Sequence, residues 1–135
     1  MGLLDDTSAA LTAAAARSDS CVSFYSGGKD SRVVIDLAVR HFRVVTACYM
    51  PFLPGLACVE AMLSEARARW GVEVLQLPHW GLRQCLQDEI FCAGLPAGAE
   101  DLPVWKMAEV YTLAQHVTGA GYVLTDGQLW HEPRD

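Results

Sequence analysis

The residues of this chain best suited to bind a phosphate are six in succession, Ser26-Gly27-Gly28-Lys29-Asp30-Ser31. The two glycines let an anion approach the backbone closely, the lysine adds a mobile positive charge, and the two serines add hydroxyl donors. Asp30 could hold a magnesium ion that the phosphates share. The segment is therefore a candidate phosphate-binding loop, with Lys29 and Asp30 as its candidate catalytic residues.

The elements on either side of the loop would hold it at the edge of a sheet. Apolar and β-branched residues over 21–25 predict a short buried strand, and the run over 33–39 predicts a helix that Asp30 or Ser31 would cap. The unpaired N–H groups of a helix's first turn, with the positive end of its dipole, point at whatever lies above the turn. A phosphate is the favoured ligand there. The alternative is a Gly-Gly turn that only reverses the chain.

The pattern of the loop separates it from one common phosphate-binding motif and relates it to another. A Walker A loop requires a glycine, four free residues and then Gly-Lys, and this chain has no glycine at that earlier place. The segment Ser26 to Ser31, directly after a strand, instead resembles the PP-loop of the ATP pyrophosphatases, the adenine nucleotide α-hydrolase-like superfamily. Within it, Ser23-Phe24-Tyr25, the lysine in the fourth place and the Ala-rich stretch upstream are most similar to the phosphoadenosine phosphosulfate (PAPS) reductase family.

Strand and helix patterns alternate along the rest of the chain. Strands are predicted over residues 21–25, 44–50, 72–77 and 122–125, and helices over 7–17, from the loop to about 41, and over 56–70, 82–91 and 104–118. Residues 92–103 are rich in glycine and proline and predict a loop. Because no hairpin signal was found between the strands, the alternation predicts an α/β fold of three layers. A short parallel sheet would carry helices on both faces, and residues 1–135 would form a single domain.

The resemblance implies a Rossmann-like PP-loop architecture with strand order 3-2-1-4, which would bring the turn at residues 125–128 beside the loop. It also implies that backbone groups of Tyr49 or Met50, at the end of the second strand, meet the adenine ring. Further contacts to phosphate or substrate are implied for four residues: Lys106, Asp126, Gly127 and Arg134. Leu129 and Pro133 stand where the family has arginine and serine, and the second strand ends without the family's acidic residue.

Two classes of function follow from the resemblance. The first is an enzyme that binds ATP or PAPS and cleaves or transfers at the α phosphate with release of pyrophosphate. The second is a binding module that keeps the nucleotide cradle without turnover and acts as a regulatory or interaction subunit. The intact loop favours the enzyme. The departures from the family pattern, and the lack of a match to its C-terminal Glu-Cys-Gly-Leu-His-like tail, favour the module.

The amino-acid composition limits the classes of binding partner and the cellular location that we expect. The net charge is -6 and no Lys/Arg run occurs, which argues against a nucleic-acid partner. The five cysteines form no Cys-x-x-Cys pair, so neither an iron-sulfur cluster nor a zinc site is expected, and His79, His116 and His131 are assigned structural or surface roles. Reduced cysteines and the lack of a signal peptide or membrane span predict a cytoplasmic protein. The hydrophobic content of 52% predicts a homodimer.

Overall fold

The centre of the molecule is a five-stranded sheet in the order β3-β2-β1-β4-β5. The computed structural model describes residues 2–79, 81–82, 85–86, 107–125 and 128–130. Within these, the strands are β1 (Ser20–Phe24), β2 (Val44–Tyr49), β3 (Glu73–Gln76), β4 (Tyr122–Thr125) and β5 (Gln128–Trp130). The first four strands are mutually parallel, with Val22 beside Thr46 and Val123. The predicted strands and their order 3-2-1-4 are therefore confirmed.

The fifth strand is an addition that the sequence interpretation missed. β5 pairs antiparallel with β4, with Thr125 opposite Gln128 and Val123 opposite Trp130. Only Asp126 and Gly127 separate the two strands, and Asp-Gly between β-prone residues is a strong signal for a two-residue hairpin. The statement that the chain carries no hairpin signal was wrong at this position.

Among the described residues, four helices beside the sheet have defined bounds: α1 (Leu3–Ala15), α2 (Lys29–His41), α3 (Ala57–Trp70) and α4 (Met107–Thr118). The N-cap of α2 is Gly28, so the prediction of Asp30 or Ser31 as the cap was wrong by two or three residues. Gly71 ends α3 with a φ of 65°, a left-handed conformation that glycine adopts without strain. Of the helix predicted over 82–91, residues 82, 85 and 86 are helical, and the others, like the predicted loop over 92–103, lie outside the described residues.

The side chains of β1 divide the core into two layers because successive residues of a strand face opposite sides. Cys21 and Tyr25 belong to a cluster with buried residues of α1, α2 and α3, such as Ile35 and Leu63. Val22 and Phe24 belong to a second cluster with α4. Helices thus cover both faces of the sheet, which confirms the three-layer prediction. No helix among the described residues has the length and apolar character needed to cross a membrane.

Trp70, the last residue of α3, fixes the contact between α3 and α2. Its indole Nε1–H donates to Asp36 Oδ1 at 3.1 Å, and its ring meets the ring of Tyr25 edge-on with centroids 5.9 Å apart. The hydrogen bond from Trp70, followed by the nearby charge of Arg40, lowers the pKa of the Asp36 carboxyl. The hydrogen bond from Trp70 therefore stabilises the fold more strongly when Asp36 is ionised than when it is protonated.

Replacing Trp70 by phenylalanine tests that coupling. We expect the free energy of unfolding at pH 7 to fall by about 1 kcal/mol, because the carboxylate loses a hydrogen bond. A carboxyl whose pKa is lower in the folded than in the unfolded protein stabilises the fold at any pH above its unfolded-state pKa of about 4. This contribution is lost as the pH falls through the folded-state pKa. Urea unfolding from pH 7 to pH 3 should show the difference between the proteins shrinking in acid. A difference that stays constant would assign the loss to packing alone.

The described cysteines differ in their exposure to solvent. Cys21 and Cys48 are buried, and burial raises the pKa of each thiol to about 12. Cys58 is exposed, whereas Cys92 lies outside the described residues. Among the described side chains, no group of three or more histidines, cysteines or acids could hold a metal ion.

The native thiols should therefore react at different rates. We expect iodoacetamide at pH 8 to label Cys58 within minutes and to leave Cys21 and Cys48 unlabelled until the protein unfolds, because the thiolate is the reactive form. Peptide mass spectrometry of the native and urea-unfolded protein measures this directly. Fast native labelling of Cys48 would contradict its placement in the core.

Candidate functional site

The segment Ser26 to Ser31 leaves the carboxyl end of β1 and enters the first turn of α2, as predicted. Gly27 has a φ of 81°, a conformation that residues with a side chain rarely adopt. A methyl group at this position would also overlap the sulfur of Met62, which reaches the loop from α3. Gly27 is thus required by both the turn and its neighbour, whereas Gly28 has an ordinary extended conformation with a φ of -72°.

The two serines of the loop hold each other and the turn in place. Ser31 is buried, and its hydroxyl donates to the Gly28 carbonyl oxygen at 3.0 Å. Ser31 Oγ lies 3.3 Å from the Ser26 amide nitrogen and 3.2 Å from the Ser26 hydroxyl oxygen. Because the hydrogen of Ser31 Oγ is donated to Gly28, this oxygen accepts from both groups of Ser26. Ser26 Oγ accepts in turn from the Gly28 amide at 3.3 Å. The hydroxyl of Ser31 is used inside the loop, so this residue offers its backbone amide to a ligand.

The first turn of α2 leaves a group of backbone donors open. The amide of Arg32 is the first to bond within the turn, to the Gly28 carbonyl at 3.1 Å. Among the described residues, no hydrogen bond is donated by the amides of Gly27, Lys29, Asp30 or Ser31. The side chains of Lys29 and Asp30 are exposed and form no ion pair with any residue that the structure describes. Open amides at a helix N-terminus, beside a lysine that has no ion-pair partner among the described residues, are suited to bind an anion.

A cavity of about 250 Å³ opens beside the loop, at the carboxyl ends of β1, β2 and β4. Aromatic and apolar side chains make most of its wall: Phe24, Tyr25, Cys48, Tyr49, Met50 and Tyr111. Three polar residues complete the lining: Ser26, His79 and Thr125. Such a lining suits a flat heterocycle, whose faces stack on apolar walls while its edge forms hydrogen bonds.

The backbone hydrogen bonds at the end of β2 distinguish Tyr49 from Met50, the two residues predicted to meet the adenine ring. The carbonyl oxygen of Tyr49 accepts from the Leu77 amide at 3.1 Å and so belongs to the sheet. No hydrogen bond between described residues involves the amide or the carbonyl of Met50, which lies one residue further along. Both residues line the cavity, but only Met50 presents a backbone donor and acceptor that the sheet does not use.

His79 is a cavity residue that the sequence interpretation placed outside the site. It follows β3 and lines the cavity together with Ser26 and Met50. The signal was available, because residues just beyond the carboxyl ends of neighbouring parallel strands converge on one edge of a sheet. The interpretation asked only whether His79 had partners at metal-ligand spacing, and so missed it.

The sequence-predicted contacts outside the loop are only partly described. Thr125, the last residue of β4, lines the cavity with Ser26, so the end of the fourth strand reaches the loop as the resemblance implied. The other residues predicted to contact phosphate or substrate lie outside the described residues. They are Lys106, before α4, and Asp126, Gly127 and Arg134, after β4.

Comparison with solved structures identifies a similar fold. The structure matches an NH3-dependent NAD synthetase from Campylobacter jejuni in complex with the nitrate ion, with a TM-score of 0.61 and 16% sequence identity. The match covers 91% of this chain and 56% of the synthetase chain. The likeness establishes the fold. It confirms the predicted Rossmann-like α/β fold, whereas the assignment to the PP-loop superfamily and, within it, to the PAPS reductase family stays a prediction. No family model and no curated protein matches the chain.

Proposed function

We propose that this protein binds ATP, with the phosphates on the open amides of Gly27 and of Lys29 to Ser31 and the adenine ring at Met50. The observation that carries the proposal is that one cavity joins Ser26 in the loop to Met50, whose backbone groups the sheet does not use. Phosphates and base require different partners, and residues of both kinds line this cavity, at the ends of the neighbouring strands β1 and β2. The likeness to an NAD synthetase supports the proposal at the level of the fold.

The chemistry proposed for the loop is cleavage or transfer at the α phosphate. The open amides and the dipole of α2 hold the phosphates, and Lys29 neutralises the charge that develops on the leaving pyrophosphate. The exposed carboxylate of Asp30 fits a magnesium ion, because Mg²⁺ commonly takes one or two carboxylates together with phosphate oxygens. When bound, the ion would share the negative charge of the phosphates.

The base is proposed to be adenine because of the donor and acceptor at Met50. Adenine carries an amino donor at position 6 and an acceptor at N1, which pair with a backbone carbonyl and a backbone amide. Guanine reverses donor and acceptor at these two positions, so the same backbone groups would face like partners. PAPS shares the adenine base and remains the second candidate ligand.

Isothermal titration calorimetry with ATP, GTP and PAPS tests the proposal. We expect ATP with Mg²⁺ to bind and GTP to bind at least about tenfold more weakly, because its edge leaves hydrogen-bonding groups unpaired. Binding of neither nucleotide at millimolar concentration would overturn the proposal. A pyrophosphate-release assay over a panel of acceptors then separates an enzyme, which releases pyrophosphate, from a binding module, which holds ATP intact.

The predictions of a homodimer and of a cytoplasmic location belong to the same proposal. Exposed apolar side chains on α1 and α4, among them Leu3 and Val117, support self-association. Light scattering across the micromolar range should give twice the mass of one chain. A monomer mass at every concentration would contradict the dimer.

A further inference from the structure

The hydroxyl of Ser8, in α1, differs from other helix hydroxyls of this protein in its partner. A hydroxyl in a helix commonly bonds to the carbonyl four residues earlier. Four threonines of the described residues do so: Thr7, Thr12, Thr112 and Thr118. Among the described residues, no hydrogen bond joins the Ser8 hydroxyl to the Leu4 carbonyl. Ser8 Oγ lies instead 3.2 Å from Nε2 of His41, the last residue of α2.

The hydroxyl of Thr12 determines which nitrogen of the His41 ring carries the proton. Thr12 Oγ1 donates its hydrogen to the Ser8 carbonyl at 2.8 Å and lies 3.3 Å from His41 Nδ1. Because that hydrogen is already used, Thr12 accepts and Nδ1 donates. In the neutral imidazole Nε2 is then an acceptor, and Ser8 donates its hydroxyl hydrogen to it. A hydroxyl, a base and a group that orients the base thus form one chain of hydrogen bonds.

The place of His41 in the fold suits it to take a proton and sets it apart from the phosphate loop. It ends α2, where the negative end of the helix dipole favours a positive charge. Ser8 and His41 are half-buried and Thr12 is exposed, so the three side chains lie at the surface of the contact between α1 and α2. With 13 residues in α2 and a rise of about 1.5 Å per residue, His41 is roughly 18 Å from Lys29. Chemistry at Ser8 would therefore be independent of the candidate nucleotide site.

We propose that Ser8 is a nucleophile for activated esters, with His41 as its general base and Thr12 as a positioning residue. A hydroxyl, a base within hydrogen-bond reach and a third group that orients the base are the parts that such a reaction uses. As Ser8 Oγ bonds to the carbonyl carbon of the ester, its proton passes to His41 Nε2. The tetrahedral intermediate then breaks its bond to the leaving oxygen, which departs with the electron pair and takes the proton from His41. The products are an acyl ester on Ser8 and a free alcohol or phenol.

The ester p-nitrophenyl acetate, followed by peptide mass spectrometry, tests the proposal on the intact protein. The internal control is Ser64, an exposed serine of α3 whose hydroxyl has no hydrogen-bond partner among the described residues. We expect Ser8 to be acetylated at least about a hundredfold faster than Ser64 at pH 8, because general-base catalysis typically contributes that much or more. The initial release of p-nitrophenolate should be smaller in Ser8→Ala than in the wild type and unchanged in Ser64→Ala.

Substitutions at His41 and Thr12 separate catalysis from a structural contact between the helices. His41→Gln keeps an acceptor for Ser8 and a donor for Thr12, but its amide does not take up a proton. We expect this variant to keep the melting temperature of the wild type while the acetylation of Ser8 slows by at least about a hundredfold. Thr12→Val removes only the group that orients the ring and should slow the reaction less. Thr12→Ser, which keeps the hydroxyl, should restore the rate.

Three results would contradict the proposal. Equal rates of acetylation at Ser8 and Ser64 would mean that His41 does not activate the hydroxyl of Ser8. An unchanged release of p-nitrophenolate in Ser8→Ala, with the acetyl group found on His41, would make the imidazole itself the nucleophile. Unchanged acetylation of Ser8 in His41→Gln would leave the hydrogen bonds as a contact that only holds α1 against α2.

Discussion

Replacing Lys29 by alanine is expected to weaken the binding of ATP by roughly ten- to a hundredfold, because a charge-assisted contact to a phosphate contributes about 1.5 to 3 kcal/mol. Lys29 is the first residue of α2, is exposed, and forms no ion pair with another described residue. Its removal therefore leaves no buried charge behind. Isothermal titration calorimetry should show the weaker affinity for ATP. Thermal unfolding without ligand should give the melting temperature of the wild type.

Arg43→Ala is the matched control for that experiment. Arg43 is also exposed and basic, but it precedes β2 and pairs with Asp19 at 3.1 Å, at the opposite end of the strands from the loop. Its removal lowers the net charge by the same amount and should leave ATP affinity within about twofold of the wild type, since the salt screens distant charges. Equal losses in the two variants would mean that only overall charge is being measured.

Gly27→Ala is expected to destabilise the protein by about 2 to 4 kcal/mol and to abolish measurable ATP binding. Two effects add at this position. A residue with a side chain is strained at a φ of 81°, and its Cβ would displace Met62 from the loop. Thermal or urea unfolding measures the first result and calorimetry the second.

Gly28→Ala provides the contrast within the same loop. Gly28 has a φ of -72°, and a Cβ there would lie 3.4 Å from Ser26 Oγ, an ordinary contact. We expect its stability to stay within about 0.5 kcal/mol of the wild type, as is usual for a surface substitution without strain. In a Met62→Ala background, the cost of Gly27→Ala should fall to about 1 to 2 kcal/mol, the backbone part alone. An undiminished cost would show that Met62 plays no part.

The parallel sheet could be predicted from sequence because its signals are local. Mostly apolar runs over residues 21–25 and 44–50 predict buried strands, and the helical spacing of Leu63 and Ala66 predicts a covering helix. The hairpin of β4 and β5 was equally local in its Asp126-Gly127 pair. It was overlooked because the strand after it has only three residues, too short to show a period.

The candidate site could be predicted only where it is continuous in sequence. Ser26 to Ser31 form one motif, so the loop and its place after a strand followed from the residues alone. The sequence does not show which of the two glycines has a positive φ. The contact of Met62 with Gly27 depends on how α3 packs against the loop. His79 and Met50 line one cavity because β2 and β3 are neighbours, and a strand pairing of that kind has no signature within either segment.

A nuclear magnetic resonance titration of the backbone amides with ATP and Mg²⁺ shows whether one ligand spans the loop and the end of β2. We expect the amide signals of Gly27, Lys29 to Ser31 and Met50 to shift together with one dissociation constant. The amides of Ser20 and Val44, at the opposite ends of their strands, should stay unshifted. Shifts at the loop without a shift at Met50, or no shift at millimolar ATP, would mean that no single nucleotide bridges these two segments.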